Sequence, residues 1–113
     1  MYAKNLIYWG QLVDELKKRH IYTVIIQMPV HSSYYKNLDS ARFSFLKKIL
    51  TDFSQKKKIP YFDYTNDPRF NLDDFTPKMV DHMNEKGAVK FSMILNKDVI
   101  IPMLHRTEIG VGN

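Results

Sequence analysis

The sequence predicts an α/β fold in which helices alternate with the strands of a small parallel sheet. Three patterns carry this prediction. A nearly continuous apolar and β-branched run over residues 21–28 ends at Pro29, as is typical of a parallel strand covered on both faces. Segments with apolar residues every three or four positions lie on either side of this run. A second strand pattern follows over residues 59–65. The two strands and the helix between them form a β-α-β unit.

The first two helices are defined by their apolar stripes. The helix before the first strand is predicted over residues 4–20. Its stripe consists of Leu6, Trp9, Leu12, Val13 and Leu16, with Trp9 in the core. The second helix begins at Asp39 or Ser40, either of which is a favourable amino-terminal cap. Its stripe consists of Phe43, Leu46, Ile49, Leu50 and Phe53.

The second half of the chain reads less regularly. Residues 66–78 are predicted as a long loop because Pro, Asn and Asp recur there. A third helix is expected over residues 84–97, capped by Asn84. Its buried positions are Ala88, Phe91, Ile94 and Leu95. The β-branched residues after it predict a short strand over residues 98–104.

Length and composition place the chain among folded domains. Its 113 residues, 44% of them hydrophobic, fit one α/β domain over residues 1–106 followed by a flexible tail over residues 107–113. The absence of cysteine excludes disulfides and thiolate chemistry. No apolar run approaches the roughly 20 residues that cross a bilayer, and the amino terminus lacks a signal-peptide pattern. We therefore expect no membrane span and a cytoplasmic chain as it stands.

The net charge of +5 raises the question of a phosphate-bearing partner. Two basic runs, residues 17–20 and residues 56–58, lie at the predicted carboxyl ends of helices, where cations favourably meet the helix dipole. A phosphate-binding surface is the alternative interpretation of these runs. The chain has no Gly-rich phosphate loop, zinc-ligand spacing or aromatic RNA-binding pattern. We therefore expect no nucleic-acid partner.

Two or three strands make a very small parallel sheet. An apolar strand of this kind needs neighbours on both edges, because an unpaired edge is an association surface. The sequence is therefore compatible with two arrangements. Either a further portion of sheet belongs to a longer parent protein, or copies of this chain pair through the exposed edge as a homo-oligomer.

The strongest chemical signal is an Asp-His pair, Asp81 and His82, predicted to lie in a loop before the helix that Asn84 caps. A histidine beside a carboxylate at the edge of an α/β sheet is the arrangement that general-base chemistry uses. Gly87, in the first turn of that helix, is expected to let the helix approach the sheet closely.

Two strings extend this signal into a family resemblance. They are Y-F-D-Y-T-N-D-P-R-F at residues 61–70 and D-H-M-N-E-K-G-A-V-K-F at residues 81–91. With the strand and Pro-containing loop at residues 25–35, they resemble the carboxyl-terminal half of an SGNH (GDSL-type) hydrolase. The DltD-like and alginate O-acetyltransferase-like branches, which acylate bacterial cell-surface polymers, are the most similar in character.

The resemblance implies a fold, a reaction and a set of residues. The fold is a three-layer α/β/α sandwich with flavodoxin-like topology, of which this chain would hold a part. The reaction is hydrolysis or transfer of an acyl ester, with His82 as the base and Asp81 beside it. The family's catalytic Asp lies two or three residues before the His, where this chain has Val80 and Met79. No G-D-S block occurs, so the chain lacks the family's nucleophile and is expected to be inactive alone.

Other polar residues are candidates for ligand contacts. His31, Ser32 and Tyr35 follow the first strand and are predicted to line a substrate groove. Turn formation also explains serines there, and packing over the sheet edge also explains Tyr35. A serine in this loop is also a candidate substitute nucleophile. Four carboxylates lie close together in sequence: Asp63, Asp67, Asp73 and Asp74. Their spacing does not match a calcium loop, so we interpret them as solvated loop charges. We expect neither a metal nor a cofactor.

Overall fold

The computed structural model describes residues 2–33 and 39–108, and they form a mixed α/β protein. In chain order the elements are α1 (Tyr2–Lys18), β1 (Ile25–Gln27), α2 (Ser40–Lys57), β2 (Tyr61–Asp63), a 3-10 turn (Leu72–Asp74), β3 (Phe75–Thr76), β4 (Met79–Met83), α3 (Glu85–Leu95), a π-helical turn (Asn96–Ile100) and α4 (Ile101–Glu108). Two compact units contain these elements. The first unit holds α1, β1, α2 and β2, and the second unit holds the remaining elements with the segment that begins at Pro29.

The core of the first unit confirms the β-α-β prediction. Strands β1 and β2 pair in parallel, with Ile25 opposite Tyr61, although each strand is only three residues long and so shorter than its apolar run. Helix α2 begins at the predicted cap, because Asp39 Oδ1 accepts hydrogen bonds from two backbone N–H groups of the first turn. Val13, Phe53 and Ile59 form the buried cluster of this unit, with Leu6 and Ile25 packed against it.

Helix α1 lies close to its predicted position, but less of its apolar stripe is buried than expected. Trp9 is 46% exposed, although its ring meets the Phe53 ring edge-on at a centroid distance of 6.1 Å. Leu12 is also exposed. The prediction that Trp9 lies in the core is therefore wrong for this chain. The reason is geometric, since the described part of the unit offers only α2 and the short strands as packing partners.

The second unit contains an antiparallel hairpin where the sequence predicted a loop. Strands β3 and β4 pair around a turn at Pro77 and Lys78, with Thr76 opposite Met79 and Phe75 opposite Met83. Phe75 is only 2% exposed, and its burial anchors the hairpin. The prediction of a continuous loop over residues 66–78 is wrong, because the 3-10 turn and β3 interrupt it.

Helix α3 confirms the third predicted helix and its cap. Asn84 precedes it, and Phe91 and Ile94 are buried as expected, whereas Ala88 is exposed. The predicted strand over residues 98–104 is wrong, because the chain continues through the π-helical turn into α4. The π-helical turn ends two residues before Pro102, whose ring nitrogen cannot donate a helical hydrogen bond. Of the predicted tail, two residues belong to α4, and residues 109–113 lie outside the described part.

A membrane-crossing helix is not found in the described ranges. None of their helices combines the length and the apolar character that a bilayer span requires.

Candidate functional site

The candidate site lies in the second unit, where Asn84 joins the hairpin to α3. The Asn84 side-chain amide donates to the carbonyl oxygens of Asp73 at 2.8 Å and Phe75 at 3.2 Å. Its backbone N–H donates to the Asp74 carbonyl at 3.0 Å. Its Oδ1 accepts from the Gly87 N–H at 2.9 Å. One side chain therefore caps the helix and holds the 3-10 turn and β3 against its amino end.

Gly87 makes this close junction sterically feasible. A β-carbon at this position would lie 2.1 Å from the carbonyl oxygen of Asp74, a distance that no side chain tolerates. Gly87 does allow a close approach of the helix, but the neighbour is the backbone of the 3-10 turn and not the sheet that was predicted.

Asp74 is the buried centre of the junction, with no exposed surface. Its Oδ2 accepts from the Asn71 N–H at 2.8 Å and from the Lys90 ammonium at 2.6 Å, while its Oδ1 has no hydrogen-bond partner among the described residues. Burial by itself raises the pKa of this carboxyl, but the Asn71 hydrogen bond and the Lys90 charge outweigh burial and leave the pKa below its ordinary value. The interpretation of Asp74 as a solvated loop charge is wrong.

Two of the other three carboxylates, Asp67 and Asp63, are also mostly buried and paired with a basic side chain. The Asp67 side chain is largely buried and receives two hydrogen bonds from the Arg69 guanidinium, which hold the pKa of Asp67 below its usual range. Asp63, at the end of β2, pairs with Lys47 at 3.2 Å. Of the four, Asp73 is the one that remains a surface charge, paired with Lys86. In the described ranges, no cluster of three or more His, Asp or Glu side chains has an arrangement that would hold a metal ion.

The parallel pair of the first unit carries its own polar residues. The Tyr61 hydroxyl donates to Gln27 Oε1, which stands at the carboxyl end of β1. Burial, together with the nearby Asp63 charge, raises the pKa of Tyr61 to about 12. The hydroxyl therefore remains a neutral donor at physiological pH.

His82 and Asp81 do not form a hydrogen-bonded pair. They are neighbours on β4, and the closest approach, from His82 Nε2 to Asp81 Oδ1, is 4.0 Å. The predicted loop position is wrong, because both residues belong to the antiparallel hairpin. Successive residues of a strand point to opposite faces, which keeps the two side chains apart. The His82 side chain is 56% exposed, so its imidazole is accessible to a ligand.

His31 has a different and more local set of contacts. Its Nδ1 accepts from the Ser33 N–H at 3.1 Å and lies 2.8 Å from Ser33 Oγ. The His31 ring meets the Phe75 ring edge-on at 6.0 Å. Because Nδ1 accepts from a backbone N–H, it carries no proton in this geometry. Ser32 is exposed, and Tyr35 lies outside the described residues.

The structure therefore brings His31 and His82 to the same hairpin, one against β3 and the other on β4. An open surface depression lies on the first turns of α3, lined by Asn84, Glu85, Lys86 and Val89. The sequence did not predict that Asp74 is buried or that it pairs with Lys90. The local signal for this pair is weak, since it consists of a Lys three residues after Gly87 and an Asp-Asp pair before the helix. Comparison with known proteins finds no matching family model, no matching curated protein and no matching solved structure.

Proposed function

We propose that this chain is the rear part of an SGNH-type acyl-ester hydrolase or acyltransferase, in which His82 is the general base. The observation that carries the proposal is the combination of an accessible imidazole with a fixed backbone. His82 is more than half exposed and stands two residues before Asn84, whose four hydrogen bonds hold the chain. A general base needs both properties, because its nitrogen must reach a proton in one reproducible geometry.

The proposed reaction is acyl transfer through a serine. His82 takes the proton of a serine hydroxyl as that oxygen attacks the acyl carbonyl, and it returns the proton to the leaving alcohol. The sequence holds no G-D-S block, so the serine and the oxyanion donors would come from a preceding part of a longer protein. Asp81, at 4.0 Å, contributes a negative charge near the imidazole without orienting it.

The first unit supports the larger sandwich that the proposal needs. In that three-layer sandwich, β1 and β2 would extend a parallel sheet of flavodoxin-like topology, with helices on both faces. Several large apolar side chains of this unit are exposed: Ile7, Tyr8, Leu12 and Phe45. These side chains would be covered where the remaining part of the sandwich packs against the unit.

The test begins with the genomic DNA that precedes the codon for Met1. An in-frame G-D-S block there would define the longer protein, whose turnover of p-nitrophenyl acetate can be measured. His82→Ala should lower kcat at least about a thousandfold, the range expected for a lost general base. His105→Ala is the matched control, because His105 is an exposed histidine on α4. An upstream stop codon, or full activity of the His82 variant, would overturn the proposal.

A second candidate is a non-catalytic module that completes its sheet with another copy of the chain. The observation in its favour is that β1 and β2 pair only with each other in the described part of the chain. Sedimentation velocity over a range of protein concentrations separates the two. A concentration-dependent dimer without esterase turnover favours the module, and a monomer at all concentrations excludes it.

A further inference from the structure

The two helices of the first unit end in the same way. At the end of α1, the His20 N–H donates to the Lys17 carbonyl at 2.9 Å and the Ile21 N–H donates to the Leu16 carbonyl at 2.9 Å. At the end of α2, the Lys58 N–H reaches the Gln55 carbonyl at 3.3 Å and the Ile59 N–H reaches the Ser54 carbonyl at 3.0 Å. Both ends are Schellman motifs, in which one residue adopts the left-handed conformation.

The left-handed residues are unusual ones for that position. His20 has φ of 58° and Lys58 has φ of 56°, in a region where glycine is the default and residues with a β-carbon are disfavoured. Each helix end therefore carries a basic or titratable side chain where the backbone alone would favour glycine. Non-glycine residues in this region are concentrated at functional positions.

The two helix ends form one surface. The Lys17 ammonium donates to the backbone carbonyls of Lys57 and Lys58, and the Lys57 ammonium lies 3.1 Å from both carboxylate oxygens of Asp14. We call this surface the basic end; it comprises Lys17, Lys18, Arg19, Lys56, Lys57 and Lys58. Its six cations meet only the two carboxylates of Asp14 and Glu15 in the pairs described, so four positive charges are unmatched.

The basic end adjoins exposed apolar side chains. Ile21 and Ile59 occupy equivalent positions in the two Schellman motifs, yet Ile59 is 7% exposed in the core while Ile21 is 48% exposed. Tyr22, the next residue, is also exposed. The apolar residue that normally packs back on its own helix is thus presented to solvent beside unmatched cations.

We propose that the basic end binds membrane surfaces rich in anionic lipid, with its lysines on the headgroup phosphates and Ile21 and Tyr22 in the interface. Lysine clusters are attracted to anionic leaflets, and apolar and aromatic side chains insert at the boundary between headgroups and acyl chains. Duplex nucleic acid would use the cations but gain nothing from Ile21. This inference does not depend on the proposed acyl transfer, because it uses residues of the first unit, whereas His82 belongs to the second.

Co-sedimentation with vesicles tests the charges. Binding to vesicles of equal parts phosphatidylcholine and phosphatidylglycerol is expected, with little binding to phosphatidylcholine alone. The triple variant Lys18→Glu/Lys56→Glu/Lys58→Glu should bind the anionic vesicles about a hundredfold more weakly, since each lysine contributes roughly a fivefold factor. The control Lys4→Glu/Lys78→Glu/Lys97→Glu makes the same net-charge change at exposed lysines elsewhere and should bind nearly as well as the wild-type chain.

The exposed pair Ile21 and Tyr22 has a matched control within α1. Ile21→Ser/Tyr22→Ser should weaken vesicle binding at least about fivefold while leaving retention on heparin unchanged, since losing buried apolar area lowers membrane affinity only. Ile7→Ser/Tyr8→Ser removes an even more exposed Ile-Tyr pair, in the first half of α1, and should leave vesicle binding and heparin retention unchanged. Circular dichroism checks that each variant is folded.

Three results would overturn the inference. They are equal binding to neutral and anionic vesicles, equal losses in the charge variants and their control, and salt-sensitive retention on duplex DNA without vesicle binding.

Discussion

The two units of this protein are stabilised in different ways. The first unit rests on a small apolar cluster around Phe53, and each of its ion pairs has at least one solvent-exposed partner, as in the pair of Lys57 with Asp14. The second unit closes around a fully buried carboxylate, Asp74, that a single lysine, Lys90, compensates. Apolar packing is non-directional and tolerates small changes, whereas a buried ion pair tolerates none that leaves one charge alone.

This difference matches what each unit is proposed to do. The second unit positions a histidine, and a directional network of hydrogen bonds holds a backbone more precisely than apolar contact does. The first unit exposes apolar and basic surface, which suits contact with another structure. Matched substitutions, one in each unit, test whether the two units are stabilised differently.

The largest effect is expected from Lys90→Met. It leaves the Asp74 carboxylate buried and uncompensated, so the free energy of unfolding should fall by about 3–5 kcal/mol. The double variant Asp74→Leu/Lys90→Met should recover most of this loss. Lys57→Met, which removes the surface pair with Asp14, should cost less than about 1 kcal/mol. Urea denaturation measures all three, and a cost for Lys57→Met equal to that of Lys90→Met would contradict the comparison.

A pair of glycine substitutions should differ in sign. Gly87→Ala places a β-carbon against the backbone of Asp74 and should destabilise the protein by about 3 kcal/mol, the upper end for overpacking. Gly10→Ala meets only the flexible end of Lys57 at 3.3 Å, so better helix propensity should leave stability unchanged or raise it by up to about 1 kcal/mol. Thermal unfolding followed by circular dichroism distinguishes them. Equal losses of stability in the two variants would show that the surroundings of Gly87 are no tighter than those of Gly10 on α1.

The smallest effect is a dependence on acid pH. Because the pKa of Asp74 in the folded protein lies below its ordinary value of 3.8, the ionised carboxylate stabilises the fold above that value. This contribution should be lost as the pH falls below 3.8 and through the lowered pKa. Amide hydrogen exchange in α3 should accelerate over that range. Exchange near Trp9, in the first unit, serves as the internal reference, and a uniform acceleration would argue against a role for Asp74.

The success of sequence reasoning differed between the two units for physical reasons. Helices α1, α2 and α3 were predictable from their apolar periodicity, and two caps were predictable because Asp39 and Asn84 act on the N–H groups of their own first turns. The parallel pairing of β1 with β2 followed from two apolar runs separated by a helix. The hairpin was not predictable in the same way, because β3 has two residues and its stability comes from the burial of Phe75. The Pro-Lys turn at residues 77–78 was the only local signal for it.

The chemical role of the charged residues depended even more on long-range contacts. Asp73 and Asp74 are identical neighbours in the sequence, yet one is a surface charge and the other is fully buried. The buried Asp74 binds Lys90, sixteen positions along the chain, and the Asn71 N–H, whereas the exposed Asp73 pairs with Lys86. The two basic runs likewise became one surface through the contact of Lys17 with the end of α2.

The amino-acid sequence by itself determined the α/β class, the three main helices, the caps of α2 and α3, and the parallel strand pair, because these depend on periodicity and on contacts within a few residues. Tertiary structure alone decided which carboxylate is buried, that His82 lies on a hairpin strand 4.0 Å from Asp81, and that two distant lysine runs meet. Burial and ion pairing depend on the residues that surround a side chain in three dimensions. Many of those neighbours are distant in the chain, so no local sequence pattern predicts them.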